Sequence, residues 1–430
     1  MTIIKSSISK YALIGAIFLS ACKKDFVNPN QPTEDQVYSS DRAATAVAYG
    51  LQRVYSAGAG SPLYALVDAN GFVTNELALR NAGNTSELQL QTGGSAVDAT
   101  NTVLLNVWTK SNKIIHDADT IIKFAKSLSD QTYSSGLIGF TSIYKALSIG
   151  NMSMLWENVP ANTGQNVTFI PRLDGFKKAI AVLDDAISAY TANAPNSTIM
   201  SRLPSDVDIL NTLYALKARY SLYAGEYQEA YDAAGLVDLS KKSVITYDAL
   251  TQNAVFESAT ATNNVYQPVD STMGLPPSLA PDLADQRVPF YIGINETIQP
   301  RYRIKGFYQT GTTPVPLYLP GEMTLIRAEA LARQDMLPEA VTELNKVITK
   351  EPADDPYGVG AGLSEFSSTD KDAILTEIYR QRCIELFMSG LKLEDMRRFS
   401  RPDSERKRNF FPYPFTERDN NPNTPADPAF

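Results

Sequence analysis

The strongest constraint on the fold of this chain is a helical pair that occurs twice. The segment Asn211–Val237 reads "NTLYALKARYSLYAGEYQEAYDAAGLV", which predicts two helices joined by a turn at the glycine. Ala218 and Ala230 stand twelve positions apart, and Ala328 and Ala340 repeat that spacing. Small residues let two helices approach closely, as in tetratricopeptide repeats. No regular period of about 34 residues runs through the chain, so the pairs are predicted to be parts of one globular body.

Helical periodicity also covers most of the remaining chain. Apolar residues recur three or four positions apart in several segments: Asp41–Tyr55, Thr102–Ser127, Tyr133–Trp156, Asp174–Ala192, Gly321–Gln334, Leu337–Thr349 and Asp372–Phe399. Residues 56–100 and 243–320 lack this pattern and are predicted to be loop-rich, and the alternation in Arg301–Ile304 indicates short strands in the second of them. The sequence therefore predicts a mainly α fold with tetratricopeptide-like helical pairs and one loop-rich insertion.

The N-terminus has the pattern of an export signal. Lys5 and Lys10 precede Tyr11–Leu19, nine apolar residues that make about 14 Å of helix, whereas a membrane span needs about 20 residues. The following Leu19-Ser20-Ala21-Cys22 resembles the lipobox of bacterial lipoproteins, in which the cysteine is acylated and becomes the new N-terminus. We expect residues 1–21 to be the signal peptide, residues 22–40 the lipidated tether and residues 41–430 a single domain.

Charge and cysteine content exclude several classes of protein. The 430 residues have a net charge of −8, and a nucleic-acid-binding protein needs a basic face that is missing here. Removal of residues 1–21 leaves 37 basic and 47 acidic side chains, a net charge of −10. If Cys22 is acylated, Cys383 is the remaining thiol and no internal disulfide is expected.

The sequence gives little support for catalysis. His116 is the single histidine, so a zinc site built from spaced His and Cys ligands is excluded, and no G-x-S-x-G motif, P-loop or dinucleotide-binding motif occurs. We expect no metal and no cofactor. The pairs Asp184-Asp185 and Asp354-Asp355 leave a carboxylate-pair glycoside hydrolase open, and the second pair leaves a weak Ca²⁺ site open.

A binding role is favoured by the loop-rich segments, which mix aromatic with amide and acidic side chains. Aromatic rings cover the C–H faces of sugars, while polar side chains take the hydroxyl groups, and loops on a rigid scaffold commonly form binding sites. The candidate ligand-binding residues are Tyr64, Asp68, Asn70, Phe72, Asn264, Tyr266, Gln267 and Asp270.

Six motifs in order resemble the SusD/RagB outer-membrane lipoproteins of Bacteroidetes. After the lipobox these are "DFVNPN", "LYALKARYSLYAGEYQEAYDAA", "DLADQRVPFYI", "MTLIRAEALAR" with "EAVTELNKVI", "QRCIELFMSGLKLEDMRRF" and "FFPYPFTERDNNPN". Of these, "DLADQRVPFYI" is similar to the family segment that leads into a β-strand. Gln381 and Ser389 stand where the family pattern has Glu, which predicts a reduced network of ion pairs.

The resemblance implies a cell-surface protein in the outer membrane that is anchored by its lipid and faces the exterior. Such proteins capture oligosaccharide or polysaccharide and deliver it to a SusC-like TonB-dependent transporter, and they are not enzymes. Some relatives bind peptides, so a peptide-binding protein with the same partner is the first alternative. A glycoside hydrolase and a helical-repeat adaptor for other proteins are the others.

Overall fold

The computed structural model describes residues 40–430, so the expected signal peptide, Cys22 and nearly all of the tether lie outside the described residues. The α-helices of the described residues are α1 (Asp41–Ser56), α2 (Pro62–Val73), α3 (Thr85–Thr92), α4 (Thr102–Lys126), α5 (Gln131–Leu155), α6 (Arg172–Ala192), α7 (Ser197–Met200), α8 (Ile209–Ala224), α9 (Tyr227–Gly235), α10 (Arg287–Tyr291), α11 (Pro320–Arg333), α12 (Leu337–Ile348), α13 (Lys371–Glu385), α14 (Lys392–Arg398) and α15 (Phe415–Asn420). The predicted mainly α fold is confirmed.

The loops contain short strands, which pair with one another in antiparallel fashion. The strands are β1 (Leu77–Leu79), β2 (Asn158–Pro160), β3 (Phe169–Pro171), β4 (Val244–Ile245), β5 (Tyr266–Pro268), β6 (Ile292–Ile294), β7 (Tyr302–Ile304) and β8 (Val315–Pro316). Within the described residues β1 pairs with β5, β2 with β3, β4 with β8 and β6 with β7. The strands predicted in residues 243–320 are confirmed, including β7 at the alternating Arg301–Ile304 segment.

The scaffold is a series of helices that pack on their neighbours in sequence. Helix α5 packs between α4 and α6, and α8 packs on α6. Side-chain caps fix several helix starts: Asp130 accepts from Thr132 N and Tyr133 N at α5, and Asp208 accepts from Asn211 N at α8. None of the helices in residues 40–430 is long and apolar enough to cross a membrane.

Both predicted helical pairs are present. Helix α8 ends at Gly225, whose φ of +82° suits glycine, and α9 follows directly. Ala218, Ala230, Ala328 and Ala340 are all fully buried, as expected for small residues at helix contacts. Helix α9 packs on α11, so the two pairs stack, and a second apolar core lies between α11, α12 and α13.

The prediction that residues 56–100 are loop-rich is wrong, because they contain α2 and α3. Helix α2 starts with Pro62 after the cap Ser61, and Leu63 is its one residue that is not buried. A helix enclosed on every side has no polar face, so it shows no amphipathic period. The expected strand entry at "DLADQRVPFYI" is also a helix, α10, and β6 begins only at Ile292.

Candidate ligand-binding site

Four of the predicted binding residues meet inside the protein rather than on its surface. Tyr64 and Phe72 of α2 contact Tyr266 of β5, with ring centroids 6.5 and 5.5 Å from that of Tyr266. Asp68 lies on the same helix, and all four side chains are at most 2% exposed. We call these four residues the buried aromatic cluster. In this conformation their side chains are not available to a ligand at the surface.

The carboxyl group of Asp68 is isolated within this cluster. Neither of its oxygens has a hydrogen-bond partner in the described part of the chain. Burial, and secondarily the charge of Glu87, raise the pKa of Asp68 well above its ordinary value. The group therefore favours the protonated form, which avoids the cost of a buried unpaired charge.

The other four predicted residues are used by the scaffold or lie at its surface. Asn70 donates to Leu66 O and accepts from Leu393 N, while Gln267 donates to Ala259 O and accepts from Ile304 N. Asp270 accepts from Thr272 in a tight turn, and Asn264 is exposed. A ligand role for the eight residues stays a prediction, and the structure gives six of them a place in the interior.

The central cavity is too small for a sugar. It encloses about 70 Å³ beside the Arg219–Glu322 ion pair, and Phe307 and Tyr318 lie in its wall. Ligand pockets for small molecules usually have volumes of about 300–1,000 Å³. A cavity of this size has room for a few water molecules, so an oligosaccharide needs a site at the surface.

Three half-buried rings contact one another in succession, two from the loop-rich insertion and one from the segment after α12. Phe290 and Phe307 have centroids 5.5 Å apart, and Phe307 and Tyr357 have centroids 5.9 Å apart. The interplanar angles of 69° and 86° make both contacts edge-to-face. We call Phe290, Phe307 and Tyr357 the aromatic row. Because each ring is partly exposed, the row offers apolar surface to a ligand.

A set of charged groups, buried except for the partly exposed Lys350, connects the segments at the two ends of the row. Arg287 pairs with Asp285 at 2.7 Å and with Glu385 at 3.0 Å, and all three side chains are 0% exposed. Lys350 joins Glu385 to Asp355 at 2.9 and 2.7 Å. We call these five residues the buried ionic network. Arg287 lies on the helix that carries the first ring, and Asp355 stands two positions before the third.

The network holds three carboxylates and two cations, and every carboxylate pairs with a cation. Burial alone lowers the pKa of Lys350, but the carboxylates of Glu385 and Asp355 outweigh it and raise that pKa above its ordinary value. Gln381 accepts a hydrogen bond from Arg287 at 2.5 Å, where the family pattern has a carboxylate. The glutamine thus keeps a partner for Arg287 without adding another buried charge.

Hydrogen bonds also fix the individual rings. Tyr357 donates from its backbone N to Asp355, and its hydroxyl accepts from Ser243 N at 2.9 Å. Burial raises the pKa of Tyr357 to about 12, so the hydroxyl stays neutral near pH 7. The carbonyl of Phe307 accepts from Asn253 at 2.9 Å. The row is therefore preorganised, which lowers the entropic cost of binding.

An open groove along α8 and α9 is the competing surface. Tyr214 and Tyr227 line it with Lys217, Glu229 and Leu236. Lys217 is already paired with Asp184 and Glu229. No ring contact between the two tyrosines occurs within the described residues, so the groove offers isolated rings rather than a continuous aromatic surface.

Metal-binding side chains are not clustered in residues 40–430. No group of three His, Cys, Asp or Glu side chains there is placed to hold a metal ion. In the two adjacent acidic pairs, Asp184 is bound to Lys217 and Asp355 to Lys350. Burial raises the pKa of the Cys383 thiol to about 12, which leaves it unreactive near pH 7.

The aromatic row was missed because its sequence signal differs from the one we used. Phe290 and Phe307 each precede a tyrosine that is buried: Tyr291 donates to Glu385 O and Tyr308 to Met388 O. The buried tyrosine anchors the segment, and the phenylalanine before it stays partly exposed. Repeated Phe-Tyr pairs inside a loop-rich segment are the pattern that points to the row.

Comparison with known proteins finds one matching family model and solved structures of the same fold. Residues 221–427 match the model of the SusD family. No curated protein matches the sequence. Among solved structures, a SusD superfamily protein from Parabacteroides distasonis has a TM-score of 0.70 at 16% identity, covering 93% of this chain and 100% of its own.

Two other similar structures carry descriptions of their ligands. A laminarin-binding SusD-like protein has a TM-score of 0.66 at 14% identity, covering 91% of this chain and 99% of its own. A SusD-like carbohydrate-binding protein from Bacteroides fragilis has a TM-score of 0.64 at 14% identity, covering 85% and 87%. The SusD family model thus matches the chain from the end of α8 to the C-terminal tail, and the described chain has the same fold as solved SusD superfamily structures.

Proposed function

We propose that this protein is a glycan-binding lipoprotein of the outer membrane that captures oligosaccharide at the aromatic row. It passes the glycan to a SusC-like TonB-dependent transporter, and it binds the glycan without cleaving it. The partly exposed aromatic row, connected to the buried ionic network, is the observation that carries the proposal. The glycan ligands named for two structural neighbours support the ligand class.

The row has the chemistry that sugar recognition needs. The C–H faces of a pyranose pack on aromatic rings, and edge-to-face rings offer more than one orientation to successive sugars. Gln309 and Thr310 follow Phe307 in the chain and are exposed, so polar groups for the sugar hydroxyls lie next to the rings. The buried ionic network keeps the rings in place before the ligand arrives.

The binding test compares rings in the two candidate surfaces. The purified protein is titrated with a panel of soluble polysaccharides and with a protein digest. Phe307→Leu keeps the apolar volume but removes the ring, and we expect a loss of affinity of up to about tenfold, the upper end for a lost aromatic contact. Tyr227→Leu makes the same change in the groove along α8 and α9, and we expect no change.

The outcomes separate the candidate functions. Binding of a glycan that Phe307→Leu weakens and Tyr227→Leu does not supports the proposal. If only Tyr227→Leu lowers the glycan affinity, the binding site lies in the groove along α8 and α9. If the protein binds only peptides from the digest, its ligand is a peptide rather than a glycan. New reducing ends after long incubation with the bound glycan contradict a purely binding function.

The lipid anchor and the transporter partner need their own experiment. Cys22→Ala should prevent acylation, so the protein should leave the membrane fraction, while Cys383→Ala should remain there. Purification from solubilised membranes should recover a TonB-dependent barrel protein together with the native chain. A membrane-bound Cys22→Ala variant contradicts the anchor, and recovery without any barrel protein contradicts the delivery step.

A further inference from the structure

Two exposed lysines flank the aromatic row. The ammonium group of Lys242 lies 5.4 Å from the centre of the Tyr357 ring. Lys305 stands just before the Gly306-Phe307 turn, and its ammonium donates to Pro289 O, the carbonyl directly before Phe290, at 2.9 Å. One cation therefore lies at each end of the row.

Neither cation is neutralised by a salt bridge within residues 40–430. Their neighbours show that such pairing is common on this surface: Lys241 lies 3.6 Å from Asp208, and Arg301 lies 3.1 Å from Glu296. Lys242 and Lys305 instead contact a ring and a carbonyl oxygen, and both contacts leave the ammonium charge uncompensated.

The carboxylates near the row do not pair with either lysine. Asp355, two positions before Tyr357, is buried and paired with Lys350. Glu351 and Asp354 are exposed in the turn that leads to Tyr357, and Glu351 accepts a hydrogen bond from Gln286. Both ammonium groups are therefore open to an anion on a chain whose net charge is −8. The negative net charge of the chain repels an anion over the rest of the surface, so an anion is expected to bind where cations are available.

From this geometry we infer that the ligand is an acidic glycan, whose carboxylate or sulfate groups contact Lys242 and Lys305 while its sugar rings pack on Phe290, Phe307 and Tyr357. The inference rests on the proposed function and narrows its substrate class. A flexible lysine provides a point charge without a fixed fork, which suits either kind of anionic group. A neutral glycan can accept hydrogen bonds from the two ammonium groups but forms no ion pair with them.

The test uses pairs of glycans that differ in charge. Polygalacturonate is compared with its fully methyl-esterified form, and dextran sulfate with dextran, by titration at low and at moderate ionic strength. We expect one of the acidic members to bind more tightly than its neutral partner, with an affinity that falls as salt is added. The two pairs distinguish carboxylate from sulfate as the recognised group.

Lysine variants test whether Lys242 and Lys305 cause the preference for the acidic glycan. Lys242→Gln and Lys305→Gln should each weaken binding of the acidic glycan about threefold, and the double variant about tenfold, as expected for exposed charge contacts. Lys241→Gln changes an adjacent lysine that is paired with Asp208, and affinity should stay the same. Thermal unfolding of each variant checks that the fold is retained.

The failure of the inference is distinct from the failure of the proposed function. Equal or tighter binding of the neutral members, with binding still lost in Phe307→Leu, overturns the acidic ligand and leaves glycan capture intact. If the double variant binds the acidic glycan as tightly as the native protein does, the inference of an acidic ligand is also overturned. Absence of binding to every glycan, in these pairs and in the wider panel, overturns the proposed function and this inference together.

Discussion

The buried aromatic cluster and the aromatic row contain similar side chains but place them in opposite environments. In the cluster, Tyr64, Phe72 and Tyr266 are surrounded by protein. In the row, Phe290 and Phe307 keep part of each ring exposed. Aromatic content in an irregular segment therefore does not distinguish a binding surface from a small core.

The polar groups next to the rings differ in a more informative way. Beside the cluster, the carboxyl group of Asp68 has no partner among the described residues, and protonation is its way to avoid a buried charge. Beneath the row, every charged group of the buried ionic network has an oppositely charged partner. A satisfied network of this kind fixes geometry, whereas the isolated carboxyl group costs stability.

The largest effect is expected when the network under the row is broken. Arg287→Met leaves the carboxylates of Asp285 and Glu385 buried with fewer partners, which should lower the free energy of unfolding by about 3–5 kcal/mol. Denaturant unfolding measures this. Arg301→Met, which removes an exposed arginine paired with Glu296, should cost less than about 1 kcal/mol. Similar losses in the two variants would show that the network does not hold the row.

Truncation inside the buried aromatic cluster should also destabilise the protein strongly. Tyr266→Ala removes a 0% exposed ring and should lower the free energy of unfolding by about 3–5 kcal/mol. Glycan affinity measured on the remaining folded protein should be unchanged. Normal stability together with lost affinity would instead support the sequence-based prediction that Tyr266 contacts the ligand.

Replacing the isolated carboxyl group should stabilise the protein. Because the folded state holds the Asp68 proton above the ordinary pKa of about 3.9, stability falls as pH rises from about 4 towards the raised pKa. Asp68→Asn removes this dependence and should gain about 1–3 kcal/mol near pH 7 and much less near pH 4. Unfolding at both pH values checks the difference, and a variant that is less stable at pH 7 would contradict the assignment.

The smallest effect is expected at the end of the row. Tyr357→Phe keeps the ring but removes its hydrogen bonds with Ser243, which should cost about 1 kcal/mol of stability. Glycan affinity should fall only slightly, because the apolar face remains. A loss of affinity as large as that of Phe307→Leu would mean that the hydroxyl group itself contacts the ligand.

The sequence predicted the scaffold well and the site poorly, for identifiable reasons. Amphipathic periodicity and the alanines at positions 218, 230, 328 and 340 reveal how the helical pairs pack, because those signals are local. Helix α2 was missed because enclosure on all sides removes the period. The aromatic row joins residues 290, 307 and 357, and their proximity depends on Arg287, Glu385 and Lys350, which are far apart in sequence. The repeated Phe-Tyr pairs mark Phe290 and Phe307, but no local pattern encodes the contact of these rings with each other or with Tyr357.

The most direct test of the account is a crystal structure of the protein, without its signal peptide, bound to a glycan identified in the binding panel. We predict a sugar ring packed against Phe307 at a van der Waals distance of about 4 Å, with further sugars extending towards Phe290 and Tyr357. The buried aromatic cluster should keep its closed packing. A glycan bound in the groove along α8 and α9, or one that opens the cluster around Tyr266, would contradict the central claim.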